Sequence, residues 1–256
     1  MNANYHTHTY RCNHALGSDR EYVENAIMGG LKVLGFSDHC PFVFDNGFVS
    51  DMRMTPREVD GYFASLLDLK AEYRDDITIY IGFESEYIPE LQYKKDELLK
   101  GYPLDYEILG QHFLNPEYYG RYVGSYRENS FLKEYVDSVI EGMYVGRYRY
   151  LAHPDLPAAG ACDEERDSEY RRLCEFLKEK DIPVEYNMLG FAEKRWYPTD
   201  SFFEIASKVG NKLIIGCDAH DPRALSNHDL QIKCRESAER FGMEIVEYLP
   251  GLKPQT

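Results

Sequence analysis

Three of the chain's eight histidines, His6, His8 and His14, stand within the ten residues HTHTYRCNHA. Four more stand in short motifs: SDH at His39, GQH at His112, AHPD at His153 and CDAH at His220, the last also carrying Asp218. Glu84 closes the motif GFE. Neutral imidazole and carboxylate together suit Zn, Fe and Mn. A lone histidine in a strand is more often a hydrogen-bonded structural residue, so HxH or DxH alone is a weak signal. Nine ligand-type residues exceed the needs of one ion and suit two or three.

These residues share a position relative to the elements that must carry them. Short β-rich runs at 3–8, 33–38, 77–83, 106–110, 148–152, 182–186 and 212–217 predict strands, with a possible eighth at 244–248. Helices are expected over 19–29, 56–74, 128–143, 164–180, 200–209 and 227–241. Ser18 and Glu21 stand at capping-box spacing, and Thr55-Pro56-Arg57-Glu58 offers a cap and a first-turn proline. Tyr170, Leu173, Cys174 and Leu177 form a helical apolar stripe. Alternating strands and helices predict an α/β fold with a parallel sheet, and seven or eight such units in 256 residues predict a barrel. All the histidines except His228 fall in or just after the C-terminal ends of strands. In an α/β barrel those ends converge on one rim. In HTH, alternate side chains of a strand share a face, so both rings can reach one ion.

The net charge of −15 argues against nucleic acid as a partner, since such binding needs basic patches. No apolar run approaches a membrane span, and the first residues show no basic-then-apolar leader. The six cysteines are scattered without a CxxC pair, which predicts reduced thiols in a cytoplasmic protein.

The run HTHTYRCNHA…SDH…GFE…GQH…AHP…CDAH resembles the PHP (polymerase and histidinol phosphatase) superfamily over essentially the whole chain, residues 1–256 as a single PHP-type domain. The segments through SDHCPF, MRMTPREVDGYFASLLDLKAEY and IYIGFESEYIP are similar to its monofunctional histidinol-phosphate phosphatases. The resemblance implies a distorted (β/α)7 TIM-like barrel with a metal site at the C-terminal rim. It implies two to three divalent ions (Zn, Mn or Fe): His6, His8, Glu84 and Asp218 on the first, Glu84, His112 and His153 on the second, and His14, His39 and His220 on the third. It further implies a phosphomonoesterase that attacks L-histidinol phosphate with a hydroxide held between ions, its catalytic work falling to Glu84, Asp218 and His220. The expected partner is a small phosphate ester, with no nucleic acid and no membrane.

Arginines can add bidentate phosphate contacts. Arg195, in the loop after the sixth strand, is the first candidate and Arg53 the second. The stretch PDLPAAGACDEE after His153 departs from several relatives in lacking a basic residue. Asp38 and Asp155 flank ligands and could orient an imidazole; Asp155 could also carry a proton. Cys12, Cys40 and Cys217 adjoin ligands but read as packing residues. Tyr87, Tyr197 and Trp196 are candidates to wall a substrate pocket. Two other readings stay open: a phosphoesterase for another small ester or a nucleotide, disfavoured by His14 where nucleotide-directed relatives often carry Asp, and a non-catalytic metal-binding module.

Overall fold

A computed structural model describes residues 1–125, 129–157 and 163–255. Its eight strands form one parallel sheet in sequence order: β1 (Ala3–Asn4), β2 (Val33–His39), β3 (Thr78–Ser85), β4 (Tyr106–Leu109), β5 (Tyr148–Leu151), β6 (Val184–Asn187), β7 (Lys212–Gly216) and β8 (Glu244–Ile245). Beyond β1 the chain stays extended and turns to β7. Thr7 bridges Ala219 in parallel, His8 N–H donates to Ala219 O at 3.0 Å, and Ala219 N–H donates to His6 O at 3.2 Å. Seven strands therefore close a ring at the C-terminal rim. The two-residue β8 joins only the opposite end of β7, pairing Lys212 with Glu244 and Leu213 with Ile245. This is the distorted seven-unit barrel that the resemblance implies. The distortion has a location: the register shifts between Glu107 and Leu109 where β4 meets β5, and β5 pairs with β6 only through Leu151 and Val184.

Nine helices are found among the described residues, and the longer ones cover the sheet: α1 (Asp19–Met28), α2 (Val59–Glu72), α3 (Pro89–Leu99), α4 (Asn129–Tyr144), α5 (Asp163–Glu179), α6 (Met188–Glu193), α7 (Asp200–Val209), α8 (Arg223–Ser226) and α9 (His228–Glu239). Ser18 and Glu21 close the expected capping box on α1, and Thr55 and Glu58 close one on the 3-10 turn before α2. On α5 the stripe Tyr170, Leu173, Cys174 and Leu177 is buried. Three helices went unanticipated. On α3 the buried positions are Leu91, Lys95 and Leu99, so a lysine interrupts what would otherwise read as an apolar face. Lys95 is buried because its Nζ meets Glu107 Oε1 at 2.6 Å. On α6 and α8 only six and four residues are helical, too few to show a period.

The barrel interior is filled by Tyr5, Val33, Tyr80, Tyr106, Ile108, Tyr150 and Ile214, among others. Leu249 and Leu252, from the segment after β8, close this core from below. Tyr5 Oη donates to Leu252 O at 2.5 Å and accepts from Leu249 N–H at 3.3 Å. With its base stoppered, the barrel opens at the rim that bears the histidines.

Candidate metal centre

All the candidate ligands except His14, which follows the 3-10 turn Tyr10–Cys12, sit where a strand ends. His6 and His8 flank the Thr7 bridge. His39 is the last residue of β2, and Glu84, in register with it, is the penultimate residue of β3. His112 follows β4 and His153 follows β5. Asp218 and His220 follow β7. His153 and Asp218 both take left-handed backbone conformations, with φ of 28° and 49°. Non-glycine residues persist there only when their surroundings hold them.

The Glu84 carboxylate is the hub. Its Oε1 lies 2.8 Å from His153 Nε2, 3.4 Å from His6 Nε2 and 3.6 Å from His112 Nε2. Its Oε2 lies 3.1 Å from His39 Nδ1 and 3.5 Å from His8 Nε2. Gly110 makes room for it, since a Cβ there would fall 1.9 Å from Glu84 Oε1. Asp218 Oδ1 approaches His8 Nε2 at 3.1 Å and His6 Nε2 at 3.5 Å. The structure thus brings together all nine residues expected to ligate metal. By geometry His8 stands with His39 and His220, while His14 meets His220 with Nε2 atoms 3.0 Å apart.

Outside the cluster, other groups fix the rings. His6 Nδ1 lies 2.7 Å from Glu185 Oε1 and His112 Nδ1 3.2 Å from Glu86 Oε1. His14 Nδ1 faces Cys12 O at 2.7 Å and His220 Nδ1 faces Asp218 O at 3.0 Å. An imidazole that donates from Nδ1 keeps a lone pair on Nε2. Four rings therefore present Nε2 as a ligand atom. Inward-facing His6 Nε2, His8 Nε2, His39 Nδ1 and Glu84 Oε2 are buried without a hydrogen-bond donor or acceptor to satisfy them. Ring nitrogens and a carboxylate oxygen that converge without partners are the arrangement a divalent cation reconciles.

Electrostatics divide the cluster. Burial disfavours charge on His6 and His8, but the surrounding carboxylates outweigh it: Glu185, Asp218 and Glu84 lift His6 well above its ordinary range, and Asp218, Asp38 and Glu84 bring His8 to about 9. Burial and the nearby His8 push His14 and His39 down, and His220 to about 3. Glu84 and Asp218 stay well below the usual carboxylate range despite burial, because histidines surround them. His14, His39 and His220 are thus neutral imidazoles, the form that binds a metal.

A cavity of about 330 Å³ opens over the cluster. Besides the ligands it is lined by Met52, Tyr122, Leu189, Glu193, Arg195 and Tyr197. A larger cleft of about 820 Å³ lies at the opposite end of the barrel and contains none of them. Arg195, the first candidate for phosphate, is on the wall, held by Glu193 Oε2 at 2.8 Å from its Nε and by Tyr197 Oη at 2.9 Å from its Nη1. Arg53 is a correction. Its guanidinium is buried and committed to Glu86, Glu117 and the Cys40 carbonyl at 2.8–3.0 Å, outside the cavity. It anchors the carboxylate that faces His112 and does not face a ligand. Tyr87 also points elsewhere, donating to Glu141, while Trp196 packs on Tyr197 and donates to Leu156 O.

Asp38 accepts from His39 N–H at 2.8 Å and from the Thr9 hydroxyl, and its Oδ1 lies 3.5 Å from His8 Nδ1. Asp155 accepts from Thr199 N–H and, buried, is pushed up to about 6. The thiols of Cys12 and Cys40 are raised to about 12 by burial, and burial also lifts that of Cys217 well above its ordinary value, so they stay protonated packing groups. Five cysteines are buried and free; Cys162 and the stretch 158–162 lie outside the described residues. Glu86, Glu185, Asn187 and Tyr122 were not anticipated. Glu185 and Asn187, two residues apart in β6, share a strand face, and that spacing was the available signal.

The PHP domain model matches residues 4–189. A "probable histidinol-phosphatase" of Deinococcus radiodurans is 27% identical over 229 residues, covering 85% of each chain. A histidinol-phosphatase of Bacillus subtilis is 29% identical over 182 residues, covering 68% of this chain and 67% of its own. In structure the chain is similar to the histidinol phosphate phosphatase of Lactococcus lactis, solved with Zn, L-histidinol and phosphate: TM-score 0.74, 19% identity, 100% of this chain and 99% of that one.

Proposed function

The chain belongs to the PHP domain family, and from that premise we propose that it is a metal-dependent phosphomonoesterase whose substrate is L-histidinol phosphate. The observation that supports this most is the convergence of nine ligand-type side chains, several with buried atoms that find no hydrogen-bond partner, beneath a cavity that Arg195 helps to wall. Relatives named histidinol-phosphatase, and a structural neighbour that holds L-histidinol and phosphate, favour this ester over others.

His6, His8, Glu84 and Asp218 would hold one ion, Glu84, His112 and His153 a second, and His14, His39 and His220 a third. Two to three such ions, Zn, Mn or Fe, would supply Lewis acidity and activate a water near neutral pH. The protein supplies the rest. Glu84, whose two oxygens face His153 and His39, would serve more than one ion, and Asp218 and His220 line the same cavity. Arg195, pre-oriented by Glu193 and Tyr197, offers its guanidinium to phosphoryl oxygens. The neighbouring rings of Tyr122 and Tyr197 offer faces to an imidazole. The net charge of −15 does not keep an anionic ester away, because local cations set the field of the site.

Phosphate release from L-histidinol phosphate, measured with Mn, Zn and Fe loaded separately and against a panel of nucleotide monophosphates, tests this. Preference for L-histidinol phosphate is expected. Faster turnover of a nucleotide would move the chain to the other small-ester reading, and no release from any ester would leave only a metal-binding module.

A further inference from the structure

Glu185 is fully buried on β6, and all its accepting positions are used. Oε1 takes His6 Nδ1 at 2.7 Å and lies 3.4 Å from the Tyr150 hydroxyl. Oε2 accepts the backbone N–H of His153 at 3.0 Å and the Asn187 amide at 2.9 Å. The Asn187 amide nitrogen also reaches Asp218 Oδ2 at 3.1 Å, and its oxygen caps α6 by accepting from Gly190 N–H at 2.8 Å. One carboxylate and one amide thus tie down His6, His153 and Asp218, which come from three separate strands. Two of these, His153 and Asp218, are among the non-glycine residues in left-handed conformations. Gly216 makes this possible: a Cβ there would fall 1.8 Å from Glu185 Oε1.

We propose that Glu185 is a positioning residue that sets the affinity of the two metal positions served by His6 and His153, while leaving that of His14, His39 and His220 alone. This rests on the metal-centred reading of the site. The carboxylate keeps the His6 proton on Nδ1, so Nε2 remains the ligand atom, and it holds the His153 backbone in the conformation that aims its ring at Glu84. His14 and His220 are oriented by the carbonyls of Cys12 and Asp218 and do not contact Glu185. Loss of a group that orients a ligand typically costs about 10- to 100-fold in metal affinity.

The test is a zinc titration of the metal-free protein against a chromophoric chelator, which resolves the affinity of each bound ion without a turnover assay. Glu185→Gln keeps an accepting oxygen but loses the charge. Gly216→Ala keeps Glu185 and displaces its carboxylate. Both variants should loosen two ions about 10- to 100-fold and leave one at its wild-type affinity. Glu185→Leu, if it folds, should lose more than Glu185→Gln. The inference is overturned if Glu185→Gln and Gly216→Ala bind every ion as the wild type does, or lose affinity equally at all positions as a general loosening of the barrel would cause. Failure of the wild type itself to bind zinc would overturn the metal reading and this inference with it.

Discussion

His14 Nε2 and His220 Nε2 face each other at 3.0 Å although 206 residues separate them. Each ring turns its Nδ1 to a backbone carbonyl, so both Nε2 atoms carry lone pairs toward the same point. Such a contact is repulsive until something positive enters. Metal binding should therefore stabilise the protein: a ligand at 100 times its dissociation constant adds about 2.7 kcal/mol per site. In a chain of this size that is on the order of 5–10 °C in Tm. Calorimetry with and without a chelator reads the shift. Equal melting in both conditions would count against an ion between these rings.

The glycines at strand ends can be separated from ordinary ones by adding one methyl group. Gly110→Ala drives a Cβ into Glu84 and should lower bound metal and turnover together. Gly61, on the exposed face of α2 with open space around it, is the control. Gly61→Ala should stabilise the helix by about 0.5–1 kcal/mol and leave turnover alone. Thermal melts and metal analysis of the two variants distinguish the cases.

Arg53 should behave as a structural residue. Removing it leaves Glu86 buried beside Glu117 with no counter-charge, a defect worth about 3–5 kcal/mol. Arg53→Met should therefore lose stability in denaturant unfolding. A variant of wild-type stability with only a raised KM would return Arg53 to the substrate.

Arg195 should show the reverse pattern. Arg195→Ala should keep a near-wild-type Tm and lose about 10- to 100-fold in kcat/KM, the scale of a hydrogen bond to a charged group. Arg195→Lys should recover little of it, because a point charge does not reproduce a planar fork. Steady-state kinetics on the ester decide it, and full activity in Arg195→Ala would remove this residue from phosphate binding.

The pair Lys95–Glu107 carries a pH signature away from the metal centre. Burial opposes the Lys95 charge, but Glu107 outweighs it and lifts the ammonium above its ordinary range. A raised folded-state pKa means that this stabilisation is complete below the unfolded lysine value of about 10.4. It is lost as pH rises from there through the folded value. The stability gap between wild type and Lys95→Met should thus stay constant from pH 7 to 9 and narrow beyond about 10.4. A gap that widened in alkali would mean the pair is not an ion pair.

Strands β2, β3 and β7 were legible in sequence because short apolar, β-rich runs stand between turn signals. The ligands were legible because strand ends in a barrel must meet, so His6 and Asp218 could be joined without any local signal. Helix α3 was not, since Lys95 occupies its buried face and takes its partner from β4. Glu86 and Glu185 were missed for the same reason. A charged residue inside a strand or just past its end reads as a solvent-facing position, and only the folded barrel shows an imidazole or an arginine waiting for it. Arg53 was misplaced because a basic residue near ligands reads as a phosphate contact when the carboxylates that claim it, Glu86 and Glu117, are 33 and 64 residues away.

The bridge between Thr7 and Ala219 also governs when the protein can acquire its centre. The segment that carries His6 and His8 is translated more than 200 residues before its partner strand. Until then the ring has an open edge and the early histidines have no Asp218 beside them. Long-range closure of this kind is slow, and exposed edges invite aggregation. Closure of the barrel must therefore wait for the strand that leads to Asp218, and a metal ion that bound the HTH segment before then would find its ligands incomplete.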